Sequence, residues 1–183
     1  DFIQLVKQKR GSVTYASHGP GSISQLVGEW IKSETGTEMV EVPYKAVNAE
    51  LTDLMGGQVM AAFPVPQVVA GAVKSGKLRA LAVLGPARIN VLPEVPTVAE
   101  QGLPGFEIIG WFGVMAPTGT PEAAVSRLNA EIQKTLEQPE VKQRLAGLVL
   151  DAMPGSPAAL GATLEADSRR YGEAIRRMGI KLD

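Results

Sequence analysis

Residues 12–31 read SVTYASHGPGSISQLVGEWI and contain, in immediate succession, the signals of a strand, a glycine turn and an amphipathic helix. Residues 12–16 have strand composition. After the turn, apolar residues recur at the spacing of one buried helix face, and they are Ile23, Leu26, Val27, Trp30 and Ile31. A strand that passes through a short turn into a helix is the repeating unit of an α/β sheet. This unit therefore sets the expected fold class.

The same order of strand and helix recurs after Gly36, which is placed to end the first amphipathic helix. The further predicted elements are strands at 39–42, 59–63 and 78–84, and helices at 2–9, 48–55 and 67–74. Short connections between alternating elements favour a mostly parallel sheet that is flanked by helices. We therefore expect an α/β fold.

The last part of the chain is predicted to be mostly helical, apart from strands at 106–116 and 148–152. A connection interrupted by prolines precedes it, with a short helix at 97–101. The longer strand holds Trp111 and Phe112 in its middle. Aromatic residues in an apolar strand are expected in a core or at a contact between domains.

Helix starts in this part are indicated by prolines. Thr120-Pro121 and Ser156-Pro157 each place a capping residue before a proline at the first helical position. Pro139 marks a further start. Three helices are therefore expected after Thr120.

The composition excludes several classes of protein. Of 183 residues, 45% are hydrophobic and 20% are charged, and 18 basic against 19 acidic residues give a formal net charge of −1. This is typical of a folded domain and provides no patch for nucleic acid or an anionic membrane surface. The absence of cysteine removes disulfides, thiolate metal sites and a catalytic thiol. No apolar stretch approaches the roughly 18 to 20 residues that span a bilayer.

The turn Ser17-His18-Gly19-Pro20-Gly21-Ser22 is the most informative motif. It lies between a strand and a helix, where ligands bind in α/β sheets. A helix start exposes unpaired N–H groups and the positive end of the helix dipole, and glycines let an anion approach the backbone. Ser17 and Ser22 add hydroxyl donors. The pattern indicates an anion site, although a strand-to-helix turn also needs small residues simply to turn.

Two glycine patterns resemble nucleotide-binding motifs but fit them poorly. Gly19-x-Gly21-x-x-Ser24 lacks the third glycine of a dinucleotide fingerprint, and Pro20 stiffens the turn. Residues 71–78 (GAVKSGKL) nearly match a P-loop, but Leu78 stands where Ser or Thr should bind magnesium, and the segment runs from helix to strand. Gly76 is better explained as a helix end. A nucleotide-dependent enzyme therefore remains a third alternative only, and no cofactor is expected.

The residue types give little support to catalysis or metal binding. His18 is the only histidine, and its neighbour Ser17 points to the opposite side of an extended segment, which argues against a nucleophile–base pair. Without cysteine or a second histidine, a metal would need carboxylates, and Asp53, Glu94 and Glu100 fall on separate predicted elements. We therefore expect no catalytic residue and no metal site. His18 is interpreted as a turn-surface residue that could approach an anion beside the helix start.

Two further segments end at the same predicted sheet edge as Ser17. Val42-Pro43-Tyr44-Lys45 closes the second strand and makes Lys45 a candidate anion partner. Phe63-Pro64 closes the third strand. Because ligands bind at the carboxyl ends of parallel strands, these residues are candidates for the walls of the site.

Seven ordered blocks cover nearly the whole chain: YAS with GxGS (15–22), VPYK (42–45), LTDL with GGQV (51–59), GKLRALAV (76–83), PTVAExG (96–102), GWFG (110–113) and APxGTP (116–121). In these blocks the sequence resembles the Bug/TctC-like family, the extracytoplasmic solute receptors of tripartite tricarboxylate transporters. The resemblance implies a periplasmic protein of the type II periplasmic-binding-protein class. Such receptors have two α/β lobes that close on a ligand, commonly a carboxylate, held largely by main-chain amides.

The resemblance also implies a division of the chain. Residues 1–108 would form the second lobe, and residues 109–183 would supply the crossover strand and C-terminal helices of an incomplete first lobe. The chain begins at Asp1 without Met, so we expect a receptor shortened at its N-terminus, and the missing signal peptide carries no information. Membrane components of a tripartite transporter are implied partners.

Four positions depart from the family pattern. Gln25 stands where a histidine is common, Ala46 where a glycine is common, and Pro64 and Met60 where acidic residues are frequent. The absence of an acid at Pro64 argues against an amino acid bound through its ammonium group. A plain carboxylate ligand is compatible with this pattern, with weak affinity if only half of the cleft is present.

The sequence favours a solute-binding module, rather than an enzyme, for a small organic anion. The expected main contact consists of Ser17, Gly19, Pro20, Gly21 and Ser22, with His18 beside them. The expected walls are Lys45, Ala46 and Asn48 on one side and Phe63 with Pro64 on the other.

The alternative is a shortened receptor that no longer binds solute and acts as an assembly or interaction protein. Faces left by a missing lobe should be apolar, and such patches favour self-association. We therefore expect a homo-oligomer, in the simplest case a dimer with exchanged C-terminal helices.

Overall fold

The computed structural model describes residues 2–180. The elements in chain order are α1 (Phe2–Gln8), β1 (Thr14–Ser17), α2 (Ile23–Thr35), β2 (Val40–Pro43), α3 (Val47–Met55), α4 (Pro66–Lys74), a 3₁₀ turn (Ala99–Gln101), α5 (Glu122–Glu137), α6 (Pro139–Gly147) and α7 (Pro157–Met178). These residues form two compact units, one from the described parts of 1–108 and 173–183 and the other from 109–172. None of the helices described is both long and apolar enough to cross a bilayer.

The first unit is built around a parallel sheet. β1 pairs with β2 in parallel register, with Ser17 opposite Pro43. On the other side of β1, Ala61 forms a single parallel bridge with Tyr15. Three segments therefore run side by side in one direction and end at one edge, which confirms the α/β fold with a parallel sheet.

The sheet is smaller than the sequence pattern predicts. The strand predicted at 59–63 reduces to the bridge at Ala61, and the strand predicted at 78–84 reduces to a bridge between Val83 and Thr97. Prolines follow both segments closely, and a proline donates no ladder hydrogen bond. The prediction of two full strands here is wrong.

The strands predicted at 106–116 and 148–152 are also absent from the described structure. Ile108 N donates to Leu84 O at 2.9 Å, but residues 109–116 form no backbone hydrogen bond within the described residues. A strand needs a partner for its N–H and C=O groups. Propensity in the sequence does not specify whether that partner is present.

The core of the first unit lies between β1 and α2. The buried hydrophobic residues there are Val13, Tyr15, Ala16, Leu26, Val27, Trp30 and Ile31. Phe106 packs on Trp30, with ring centroids 4.9 Å apart. The predicted buried face of α2 is thus confirmed except at Ile23, which is 56% exposed because it opens the helix.

The second unit, residues 109–172, contains α5, α6 and most of α7. None of its described residues belongs to the buried hydrophobic core. Trp111 is half-buried and donates from Nε1 to Asp167 at 2.8 Å, whereas Phe112 is 89% exposed. The expectation of a packed Phe112 is wrong for this chain on its own, because no described segment covers that side chain.

Helix starts in the second unit follow the sequence signals with one exception. α6 begins at Pro139, as predicted, and Ser156 caps α7 by accepting from Ala159 N at 3.1 Å. The predicted Thr120 cap is wrong, because Thr120 Oγ1 donates to Pro117 O at 2.8 Å instead.

Candidate functional site

The edge at which β1 and β2 end carries the candidate site. Ser17 ends β1 and is fully buried, and Tyr44 N donates to Ser17 O at 2.8 Å, which holds the end of β2 beside it. Phe63, two residues after the bridge at Ala61, contacts the ring of Tyr15 with centroids 5.8 Å apart. The three chain segments named from the sequence therefore meet at one edge.

The glycine turn between β1 and α2 is closed by its own side chains. Gly19 N donates to Ser17 Oγ at 3.0 Å, and Gly21 N donates to Gln25 Oε1 at 2.9 Å. Ser22 caps α2 by accepting from Gln25 N at 3.2 Å, and its hydroxyl donates to Gly19 O at 2.7 Å. Both glycines have left-handed backbone, with φ of 89° and 78°, which favours glycine. Their amides, expected to face a ligand, are thus engaged within the turn.

Two amides at the start of α2 remain open. Within the described residues, Ile23 N and Ser24 N donate to no acceptor, whereas Gln25 N is capped and Leu26 N donates to Ser22 O at 3.0 Å. Unpaired N–H groups in the first turn of a helix carry the positive end of its dipole. The open donors therefore follow directly after the stretch that the sequence indicated.

His18 connects the turn to α3. Its backbone N donates to Ser24 Oγ at 3.0 Å, and ring Nδ1 lies 3.3 Å from the same oxygen. Ring Nε2 lies 3.2 Å from Glu50 Oε2. The side chain of His18 is 39% exposed, whereas that of Glu50 is 1% exposed. A partly exposed ring in contact with a buried carboxylate thus stands beside the open amides.

Glu50 has an unusual environment for a carboxylate. Neither of its oxygens has a hydrogen-bond partner among the described residues, and the contact with His18 Nε2 is an ion-pair contact at 3.2 Å. Burial raises the pKa of Glu50, and positive charge on His18 opposes that rise. No motif marks this residue in the sequence. The available signal is its helical spacing from Leu54, four residues later on the same face of α3.

A second carboxylate, Glu41, supports the turn from β2. It accepts from Ser17 Oγ at 2.5 Å and from Gln25 Nε2 at 3.1 Å. Gln25 therefore connects the amide of Gly21 to β2. These bonds join segments 24 and 16 residues apart, so they depend on the register of the fold and are not visible in a local pattern.

The remaining predicted wall residues lie at the same edge without bonds to the turn. Lys45, Ala46 and Asn48 are exposed, and Ala46 precedes α3 without a side-chain cap. Pro64 is half-buried before α4, and Pro20 is exposed in the turn itself. Hydrogen bonds thus organise the turn and Glu41, whereas the walls are placed only by the ends of the chain segments.

Nearly the whole chain matches one family of known proteins. The family model described as "Tripartite tricarboxylate transporter family receptor", TctC, matches residues 1–180. The chain belongs to this TctC receptor family. It is 34% identical over 183 residues to a UPF0065 protein from the TAR-I ttuE-ttuC' intergenic region of Agrobacterium vitis, covering 98% of this chain and 53% of that protein. The resemblance inferred from the sequence blocks is thereby confirmed.

Solved structures of similar proteins share the fold. A protein of R. palustris with adipate matches with a TM-score of 0.86 at 31% identity, over 98% of this chain and 60% of that one. A protein described as a periplasmic transporter matches with a TM-score of 0.87 at 31% identity, over 100% of this chain and 61% of that one. MatC from Rhodopseudomonas palustris with bound malate matches with a TM-score of 0.79 at 29% identity, over 95% of this chain and 60% of that one. This TctC chain therefore spans about half the length of its curated relative and about three-fifths of these structures.

TctC proteins are receptors rather than enzymes, and one arrangement in this member could be mistaken for catalytic machinery. Ser24, His18 and Glu50 lie in a row, like a nucleophile, a base and an acid. Ser24 is only 4% exposed, however, and its hydroxyl already accepts from His18 N. These contacts with His18 organise the turn.

Metal ligands do not converge in the described part of this TctC chain. Within residues 2–180, no group of three His, Asp or Glu side chains is arranged to hold an ion. Two acids considered from the sequence have other partners. Asp53 accepts from the Tyr44 hydroxyl at 2.9 Å, and Glu100 pairs with Arg88 at 3.0 Å.

Proposed function

We propose that this TctC-family chain captures a small organic carboxylate in the periplasm for a tripartite tricarboxylate-type transporter. The observation that carries the proposal is the pair of open amides at Ile23 and Ser24, which lie where the parallel segments end. A helix start at this edge favours an anion because of its free N–H groups and its dipole. The adipate and malate in the similar R. palustris structures support this class of ligand.

In this proposal the site residues have three roles. The turn is shaped and capped by Ser17, Gly19, Pro20, Gly21 and Ser22. His18 faces the ligand beside the two open amides. One wall is formed by Lys45, Ala46 and Asn48, and the other by Phe63 and Pro64. The ligand carboxylate accepts from Ile23 N and Ser24 N.

We also infer that the chain contributes to two lobes of a receptor. Residues 1–108 form one ligand-binding lobe, and residues 109–183 provide a crossover segment and helices of the other. A boundary at residue 108 between the two compact units supports this division. The described residues from 173 onward group with the first unit, so the last helix belongs to both units.

A proline at position 23 tests one open amide directly. Proline is tolerated at the first helical position and has no N–H, so Ile23→Pro removes a donor and keeps α2. We expect adipate or malate to bind about tenfold more weakly, since a hydrogen bond to a charged group contributes roughly 1.5 to 3 kcal/mol. Isothermal titration calorimetry on the chain measures the change.

Glu122→Pro is the matched control for this substitution. Glu122 is the first residue of α5 and lies in the second unit, so the same backbone change there should leave affinity within about twofold. If the unchanged, folded chain binds none of adipate, malate, succinate and citrate, the carboxylate proposal is refuted.

A second candidate function is assembly without solute capture. Residues 109–116 form no backbone hydrogen bond within the described structure, and they expose Phe112, Val114 and Met115. Unpaired backbone with apolar side chains favours association with another chain. If the chain acts in this way, sedimentation should detect a homo-oligomer that Phe112→Ser weakens. A stable monomer would count against this function.

A further inference from the structure

Glu50 and His18 form a pair that the proposed function leaves unexplained. Glu50 lies in the middle of α3 with 0% exposure, and neither of its oxygens has a hydrogen bond within residues 2–180. Burying a carboxylate without partners is costly. The close polar contact that the fold provides is His18 Nε2, 3.2 Å from Glu50 Oε2. Glu50 must therefore either carry a proton or be compensated by positive charge on His18.

The other titratable groups around this pair do not compensate Glu50. They are Tyr44, Asp53, Glu41 and Lys45. The Tyr44 hydroxyl donates to Asp53 at 2.9 Å, and Glu41 accepts from two side chains of the turn. Lys45 is exposed and forms no ion pair with a described residue. His18 is the group whose charge opposes the raised pKa of Glu50.

We propose that Glu50 is a positioning residue for solute capture, which holds the ring of His18 protonated and directed at the start of α2. This inference rests on the proposed function. Ring Nδ1 of His18 lies 3.3 Å from Ser24 Oγ, so the ring side away from Glu50 reaches the residue that carries an open amide. A ligand carboxylate at this point meets two backbone donors and an imidazolium. The ring contributes its positive charge rather than a hydrogen bond, because its two nitrogens already contact Glu50 and Ser24.

The charge balance of the site explains why Glu50 matters. An ionised Glu50 beside a neutral ring would leave the site negative before an anion arrives, whereas the ion pair is neutral as a whole. Loss of the proton that the pair shares would leave Glu50 as a buried carboxylate without a charged partner, so the pair resists losing it. Ligand binding and protonation of the pair are therefore coupled, and affinity declines as rising pH removes that proton.

Calorimetry with adipate on the chain and its variants, at about pH 5.5 and about pH 8, tests this coupling. We expect Glu50→Gln to bind like the unchanged chain at the lower pH and about tenfold more weakly at the higher pH, because an amide does not hold the ring protonated. His18→Gln should bind weakly at both pH values. The double variant should match His18→Gln, because Glu50 acts through His18.

The protonation state of the ring can be measured separately from affinity. His18 is the only histidine in the sequence, so the ring ¹⁵N signals need no assignment to a residue. At the higher pH, the adipate-bound unchanged chain should show two protonated ring nitrogens, and Glu50→Gln should show a neutral ring. A residue that served only to fill space in α3 would not change this signal.

Each outcome decides the inference. Identical pH profiles for the unchanged chain and Glu50→Gln overturn it and leave carboxylate capture intact. A chain that binds no carboxylate at either pH overturns both the inference and the proposed function. If Glu50→Gln does not fold, His18→Gln at the partly exposed ring still decides it, because affinity that keeps its pH dependence without His18 rejects the coupling.

Discussion

At the scale of single residues, Glu50 is costly to stability, because its carboxyl group is buried without a hydrogen bond to a described residue. Its pKa is raised by burial above the ordinary value of 4.5, so the folded chain holds this proton more tightly than the unfolded chain does. The stabilising effect of the protonated group is complete below pH 4.5. It is lost as the pH rises through the higher pKa that Glu50 has in the folded chain. Residues that are retained at the expense of stability are typical of functional sites.

Glu50→Gln should therefore increase the free energy of unfolding at neutral and higher pH. The difference from the unchanged chain should grow as pH rises above 4.5, because the amide cannot ionise. Urea denaturation over a pH series measures it. Glu165→Gln on the exposed surface of α7, away from the ends of the helix, is the control and should give a flat profile. A pH-independent difference for Glu50→Gln would contradict burial of an ionisable group as the cause.

The sequence indicated the turn at the end of β1, but not the two amides at the start of α2 that lack an acceptor among the described residues. Ser17, Gly19 and Ser22 could be recognised because a glycine turn before a helix has a known local geometry. The engagement of Gly21 by Gln25 could not be recognised, because it depends on the direction of one side chain in the folded turn. Glu50 was missed for the same reason, since its contact with His18 joins separate elements.

At the scale of elements, β1 and α2 approach each other closely at Gly28. A Cβ atom at this position would lie 2.3 Å from Tyr15 Cε2. The Tyr15 side chain is fully buried, and its hydroxyl donates to Glu29 Oε1 at 2.9 Å. The ring therefore has little freedom to move away, and the helix needs glycine here for packing rather than for backbone conformation.

Gly28→Ala should destabilise the chain by about 1 to 3 kcal/mol, the usual cost of overpacking a core. Gly71→Ala is the matched control, because Gly71 also lies inside a helix, α4, but an added Cβ there meets nothing within 4 Å. The control should be neutral or stabilising by up to about 1 kcal/mol, since alanine favours a helix over glycine. Denaturant unfolding compares them, and equal effects would contradict the contact with Tyr15.

Helices were predicted from the sequence better than strands, for a physical reason. A helix closes its hydrogen bonds within itself, so local signals such as Pro139 and Ser156 mark its ends. A strand depends on a neighbour elsewhere in the chain. The segment 59–63 therefore forms a single β-bridge, at Ala61. Residues 109–116 form no backbone hydrogen bonds to another described segment.

At the scale of the whole molecule, the hydrophobic core is distributed unequally between the two compact units. Every buried hydrophobic residue of the described chain lies outside 109–172. Burial of apolar surface is the main favourable term in folding. The helices of the second unit therefore rest on less stabilisation than the sheet and helices of the first.

Native-state hydrogen exchange should reveal this inequality. We expect amides in β1 and α2 to exchange at least about 100-fold more slowly than those in α5 and α6, because local opening is easiest where few apolar contacts are buried. Mass spectrometry of the intact chain at low concentration measures both regions together. Comparable protection in the two units would show that the second unit is stabilised by contacts beyond those described.

The hydrogen bonds around the glycine turn have a consequence for the proposed capture of a solute. Ser17, Ser22 and Gln25 fix the turn through hydrogen bonds within the chain. Immobilising the backbone costs roughly 1 to 2 kcal/mol per residue in lost entropy. In this turn the entropy is lost when the chain folds, and not when a ligand binds. Under the proposed function, an arriving acid would meet a turn whose hydrogen bonds are already formed, so capture would not require these bonds to rearrange.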